Sequence, residues 1–168
     1  IQSESNGDGT LRDRTETDLS ANGINKTTKV DIDGDGVFDT ITTETVVQNS
    51  DGSGSDTTAT NNANGSLRQE KVSSWSADGK TKTAETDRDG DGHFDRIDVT
   101  TIGSDGSSTE TVSSYSPNGS VLVSKTLTVT SADGLTKTSQ IDVNGDGSFD
   151  SAQSTTTVHN SDGSSTVT

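Results

Sequence analysis

The sequence predicts an all-β protein: an elongated tandem-repeat array of antiparallel strands, about four per 55-residue repeat, with acidic loops between some of the strands. Three observations predict this. Short Thr- and Val-rich segments alternate with Asx–Gly turns every 13–15 residues. The whole pattern recurs with a period of about 55 residues, which is the signature of a repeat architecture. No segment carries a convincing helical periodicity.

The strands come first. "TITTETVV" (40–47), "RIDVTTI" (96–102) and "SVLVSKTLTVT" (120–130) are rich in residues that are stiff at χ1 and favour extended backbone. In the last of these, Val121, Val123, Leu127 and Val129 alternate with Ser124, Thr126 and Thr128. That alternation predicts two different faces. The turns between strands are Asn22-Gly23, Asp51-Gly52, Asn64-Gly65, Asp78-Gly79, Asp105-Gly106, Asn118-Gly119, Asp133-Gly134 and Asp162-Gly163. Several read Ser-Ala-Asp-Gly or Ser-Pro-Asn-Gly, which suits a type I turn followed by a left-handed glycine. Pro117, the only proline, falls at the second position of such a turn, where its fixed φ is accepted. Counting strands between turns predicts about twelve. Connection lengths favour a meander and leave stacked hairpins, a flattened solenoid and an incomplete propeller open.

The repeat register aligns "NGDGTLRDRTETDLSANG" (6–23) with "NANGSLRQEKVSSWSADG" (62–79) and "SPNGSVLVSKTLTVTSADG" (116–134). Residues 1–168 form one repeat array, and by this register the copies are cut partway at both ends. With no initiator Met and no visible signal peptide, the chain reads as a fragment or processed segment of something longer.

Composition sets the physical problem. Hydrophobic residues make up 23% of the chain, and the formal net charge is −15. Apolar burial is worth roughly 25 cal/mol per Å², against a chain entropy of about 1–2 kcal/mol per residue. A chain this polar and this charged tends toward disorder unless another source of stability exists. Disulfides are excluded because there is no Cys. The acidity argues against nucleic acid, which needs Lys and Arg for its phosphates. No apolar run is long enough for membrane insertion. Divalent cations are the natural partners of this charge.

Three acidic loops supply the place for them. "DIDGDGVFD" (31–39), "DRDGDGHFD" (87–95) and "DVNGDGSFD" (142–150) stand 56 and then 55 residues apart. A calcium loop coils tightly around the ion and presents every second residue, with carboxylate or amide oxygens at positions 1, 3 and 5. Glycine sits at position 6, a backbone carbonyl at 7, and a further ligand at 9. The first loop offers Asp31, Asp33, Asp35, the Val37 carbonyl and Asp39. The second offers Asp87, Asp89, Asp91, the His93 carbonyl and Asp95, and the third Asp142, Asn144, Asp146, the Ser148 carbonyl and Asp150. Side-chain donors that are all hard oxygens favour Ca²⁺ over Zn²⁺ or Cu²⁺. Mg²⁺ keeps several waters and suits such a cage less well. The expectation is about three Ca²⁺ ions.

Position 12 of an EF-hand is Glu; here it is Thr42, Asp98 and Gln153, followed by β-branched residues. The loops are therefore not EF-hands and join strands. "SNGDGT" (5–10) looks like a fourth copy, but its Gly9 aligns with the turn glycines Gly65 and Gly119, so it reads as a turn. His93 shares its register with Val37 and Ser148, so only its backbone is expected at a metal. His159 has no evident partner. Phe38, Phe94 and Phe149 all occupy position 8 and are expected to turn away from the ion and plug a local core. Trp75, Tyr115 and Leu19 each precede a turn glycine by four residues and read as packing residues.

With calcium at about 100 times Kd, each site adds about 2.7 kcal/mol. Three independent sites add about 8 kcal/mol, comparable to the whole stability of a domain. Extracellular modules bind at about 10⁻⁴–10⁻³ M, so external calcium approaches that regime.

The loops resemble the DxDxDGxxD calcium sites between strands of integrin propeller blades, and the related loops of thrombospondin type 3 repeats and dockerins. Through "NGSLRQ", "SADGLTKT", "DVNGDGSFD" and "NSDGSSTVT", the whole chain resembles the calcium-binding Thr/Ser/Asp/Gly-rich tandem repeats of giant secreted, RTX-like bacterial surface proteins. The nonapeptide GGxGxDxUx is absent, so the parallel β-roll it builds is not expected. The resemblance implies an extracellular or cell-surface location and a structural or adhesive role: a fibre, stalk, matrix or adhesin, self-associating end to end or joined to neighbouring repeats. A second reading is a ligand-binding surface for glycan or ice, from rows of Thr on strand faces. No nucleophile–base pair stands out, so an enzyme is not expected.

Overall fold

The computed structural model describes residues 1–160 and 162–168. It is all-β. Thirteen strands form one antiparallel sheet in strict chain order: β1 (Gln2–Ser5), β2 (Leu11–Leu19), β3 (Lys26–Asp31), β4 (Thr40–Gln48), β5 (Gly54–Asn62), β6 (Leu67–Trp75), β7 (Thr81–Asp87), β8 (Arg96–Ile102), β9 (Ser108–Tyr115), β10 (Leu122–Thr130), β11 (Thr136–Asp142), β12 (Ser151–His159) and β13 (Ser165–Val167). The expected period of four strands is present: β2–β5, β6–β9 and β10–β13 repeat one another, and β1 precedes them. The meander expected from connection length is the observed topology; it is an open sheet, neither a propeller nor a solenoid.

The sheet is one layer thick. Most domains pack a second layer against a sheet's apolar face, but these strands have no such face. Among the described residues no apolar side chain is buried. Thr and Ser fill the cross-strand rows instead, and their hydroxyls meet in places, as between Thr42 and Thr60 (3.0 Å) and between Thr128 and Ser139 (3.4 Å). No fully buried core therefore forms around the phenylalanines, and only Phe94 shares a shallow pocket with apolar neighbours, Ile97 and Tyr115. Phe149 is exposed, and Phe38 lies half-buried beneath the Arg14 guanidinium, 4.4 Å from its ring centre.

In a meander, alternate connections lie on alternate edges of the sheet. All three acidic loops (β3–β4, β7–β8, β11–β12) fall on the same edge, four strands apart, or roughly 19 Å at about 4.8 Å per strand. The remaining connections are tight hairpins with the predicted left-handed glycine, such as Gly79 at φ 68° and Gly134 at φ 72°. In the Ser-led turns, Ser76 Oγ donates to Asp78 (2.6 Å) and accepts from the Thr81 amide (2.9 Å), so one hydroxyl ties both ends of the turn. Residues 6–10 form a turn of this general kind, closed by the Gly9 amide on the Asn6 carbonyl (2.9 Å).

Three β-bulges interrupt the ladder. They place Arg12, Arg68 and Val123 outside the register of β1, β5 and β9 respectively. The bulge at Val123 breaks the simple alternation expected over 120–130. Leu127 and Val129 stay on one face, while Val121 lies in the turn before β10 and Val123 in the bulge. A bulge adds one residue and bends the strand locally, and each of these sits at the edge that carries the acidic loops.

Candidate metal centre

Each acidic loop begins on the last residue of a strand. Asp31, Asp87 and Asp142 end β3, β7 and β11, and they are the most deeply buried side chains of the described residues, at 0%, 1% and 1% exposure. Buried carboxylates must be hydrogen-bonded. The Asp31 carboxylate accepts from the amides of Gly34 (2.7 Å) and Gly36 (3.0 Å). Asp87 accepts from Asp89 (3.2 Å), Gly90 (2.7 Å) and Gly92 (2.9 Å). Asp142 accepts from Asn144 (3.2 Å), Gly145 (2.7 Å) and Gly147 (2.9 Å). Burial pushes the Asp142 carboxyl up, but the amides of Gly147, Gly145 and Asn144 together outweigh it and hold the group below its ordinary value.

The other positions fold as successive Asx turns. Asp33 accepts from the Asp35 amide (3.2 Å), and Asp35 from the Val37 amide (2.7 Å). Asp89 and Asp91 do the same with Asp91 (3.2 Å) and His93 (2.8 Å), and Asn144 and Asp146 with Asp146 (2.9 Å) and Ser148 (2.8 Å). Position 9 reaches back: Asp39, Asp95 and Asp150 accept from the amides of Ile32 (2.7 Å), Arg88 (2.7 Å) and Val143 (2.8 Å). The backbone thus pulls both ends of each loop together and turns the carboxylates inward.

The result is two acidic clusters. Oxygens of Asp31, Asp33 and Asp39 lie within 4.8 Å of one another, as do those of Asp87, Asp89 and Asp95. Either cluster could hold a metal ion. Three converging hard-oxygen donors at this range suit a divalent cation and offer nothing to a soft metal. Asp35 and Asp91 stand outside these clusters, with their carboxylates on the position-7 amides. The third loop has Asn144 where the others have a carboxylate, and its Nδ2 donates to Asp146 (3.1 Å). The His93 side chain packs beside Gly119, where an added Cβ would lie 2.9 Å from the His93 Cβ. His159, which had no evident partner in the sequence, has one: its Nδ1 hydrogen-bonds with Ser165 Oγ (2.8 Å).

A feature of the loop that sequence reasoning missed is its seat. Gly34, Gly90 and Gly145, at position 4, have φ of 74°, 76° and 71°. A Cβ on any of them would overlap the backbone carbonyl of Leu11, Leu67 or Leu122, the residues beside the three bulges. Each loop therefore rests against a bulge two strands of sequence earlier, and only glycine permits both the φ and the approach. The signal was present as a Leu recurring 20 residues before each first Asp, in "TLRD", "SLRQ" and "VLVS".

No protein-family profile matches the chain, and no curated protein matches it in sequence.

Proposed function

We propose that this chain is a calcium-stabilised structural segment of an extracellular protein: part of a fibre, stalk, matrix or adhesin. One observation carries the reading. The most deeply buried side chains are three aspartates, while no apolar side chain is buried among the described residues. A single-layer sheet gains little from hydrophobic burial, so another term must offset chain entropy.

On this reading Ca²⁺ supplies that term at each of the three loops. Positions 1 and 3 come from the end of one strand and the start of its loop, and position 9 directly precedes the next strand. A cation held among them clips that strand pair and neutralises carboxylates that otherwise repel. Weak sites of this type fill only where calcium is millimolar, which supports secretion to the cell surface or beyond. The Thr/Ser/Asp/Gly composition supports kinship in kind with giant secreted repeat proteins. The outer edges of β1 and β13 present unpaired backbone groups. A neighbouring repeat or a second copy would extend the sheet there by strand addition.

Circular dichroism and thermal denaturation with calcium, with magnesium and with excess chelator test the reading. Calcium is expected to raise the melting midpoint strongly, magnesium much less, and chelation to remove most of the β signal. An unchanged β content and midpoint in chelator would sink the proposal.

A further inference from the structure

The second acidic loop is set differently in the sheet from the first. β4 has nine residues and β8 has seven. Thr40, which follows the first loop, pairs with Asn62, where the β5–β6 turn opens. Arg96, which follows the second, pairs with Ser114, two residues short of Ser116, where the β9–β10 turn opens. The second loop therefore lies alongside the end of β9 and the turn after it, and it makes two contacts there. The Asp95 carbonyl accepts from the Tyr115 amide (2.7 Å). His93 packs against Gly119, where an added Cβ would lie 2.9 Å from the His93 Cβ. At the corresponding turn beside the first loop, a Cβ on Gly65 would meet nothing within 4 Å.

The segment that the second loop touches also carries the seat of the third. Tyr115 pairs across the ladder with Leu122, and the bulge at Val123 follows directly. The Leu122 carbonyl is the group on which Gly145 rests, since an added Cβ would lie 2.0 Å from its oxygen. Adjoining contacts thus run from Asp95 through Tyr115 and Leu122 to Gly145, which stands between Asn144 and Asp146, two oxygen donors of the third loop. The physical link is order. A ligand that orders a segment meets the entropic cost of doing so, and a second ligand that needs the same segment ordered then meets less of it. Positions 7 and 9 are donors in a calcium loop. A cation in the second loop would hold His93 and Asp95, and through them the turn and bulge beneath the third. Direct repulsion between the ions opposes this little. Four strands, or about 19 Å, separate the two loops, against a Debye length of about 8 Å at physiological salt.

We propose that the second and third loops form a coupled pair, in which a cation bound at either one raises the affinity of the other, while the first loop fills independently. The inference rests on the metal reading and adds to it how the sites are regulated. Coupling of this kind sharpens the response to calcium. The last two repeats order together, over a narrower range of concentration than separate sites would.

The position-6 amides of Gly36, Gly92 and Gly147 each donate to the first aspartate of their own loop, so their NMR signals report the three loops separately. The full chain is titrated with calcium. Asp89→Asn and Asp95→Asn together cripple the second loop and keep its shape. In that chain the Kd of the third loop is expected to rise at least about fivefold, with the Kd of the first loop unchanged. Linkage requires the reverse effect to be equal, so Asp146→Asn with Asp150→Asn should weaken the second loop by the same factor. The first loop serves as the folding control in both chains. An unchanged Kd at the intact partner in both would overturn the coupling, and so would equal weakening of all three loops. A wild-type chain whose three amides do not shift with calcium would overturn the metal reading itself, and the coupling with it.

Discussion

The second and third acidic loops have nearly the same shape and differ in the charge at position 3 and in the charge that faces position 1 across the ladder. Their first aspartates accept the same three amides at the same distances: 3.2, 2.7 and 2.9 Å for both Asp87 and Asp142. Their ninth residues reach back to position 2 alike, at 2.7 and 2.8 Å. Yet the second loop has Asp89 where the third has Asn144, and across the ladder Asp87 faces Glu70 while Asp142 faces Lys125. Like charges opposite each other on a sheet destabilise it, and opposite charges support it. The backbone amides and glycines thus set the shape of the loop, and the charge that a cation would cancel is set separately. On the calcium reading the second site is the tightest and the third the weakest. The first, with Asp33 but with Arg14 facing Asp31, lies between them.

The largest effect expected from breaking this comparison is in the shape that the loops share. Gly90→Ala and Gly145→Ala should each cost at least about 1–3 kcal/mol from the left-handed φ alone, with overlap on the Leu67 or Leu122 carbonyl adding to it. The two losses should be similar in denaturant melts, because the seat does not depend on charge. A large loss at only one of them would show that the loops are not built alike.

Exchanging the charges comes next. Asn144→Asp should tighten calcium at the third site by roughly 1–2 kcal/mol, about tenfold, and Asp89→Asn should weaken the second site by a similar factor. Isothermal calorimetry of each variant checks this. Glu70→Lys should act in the same direction as Asp89→Asn, because it replaces the like charge facing Asp87 with an opposite one. If all three variants bind calcium as the wild type does, the cross-strand ranking is wrong.

The smallest effect lies in the hairpin turns. Asp51, Asp78, Asp105 and Asp133 are held below their ordinary value of 3.8, first by the hydroxyls of Ser53, Ser76, Ser107 and Ser131 and then by turn amides. A carboxyl whose pKa is depressed on folding contributes stability above its unfolded pKa and loses it as pH falls through the folded value. Melting midpoints at saturating calcium should therefore hold steady at neutral pH and begin to fall as pH approaches 3.8. Ser76→Ala should shrink this acid dependence slightly. A midpoint that rises steadily with acid would instead mean that relief of loop repulsion outweighs the turns.

The loop spacing, the turn glycines and the period of four strands were legible from residue types alone, because each depends on contacts within about ten residues. An Asx turn needs only its own side chain and the amide two residues on, so "DRDGDGHFD" encodes most of its fold locally. The bulges were not legible. Leu67 and Gly90 meet only because β6 and β7 pair in one particular register, and nothing near either residue states that register. The phenylalanines misled for a related reason: an aromatic residue at a repeated position suggests packing, but packing needs a second layer, and Phe149 has none. Trp75 was read as packing too. Its place on one face with Ala84 and Asp98 depends on the registers in which β6, β7 and β8 pair.

By itself the sequence determined that this is a charged, periodic β-chain with three oxygen-rich loops and too little apolar surface for an ordinary interior. Only the tertiary structure decided that the strands form one open layer, with aspartates as its most buried side chains and loops seated on bulges. The physical reason is the range of the interactions. Hydrogen bonds within a turn are specified by neighbours in the chain, whereas burial and bulge register depend on which distant strands lie side by side.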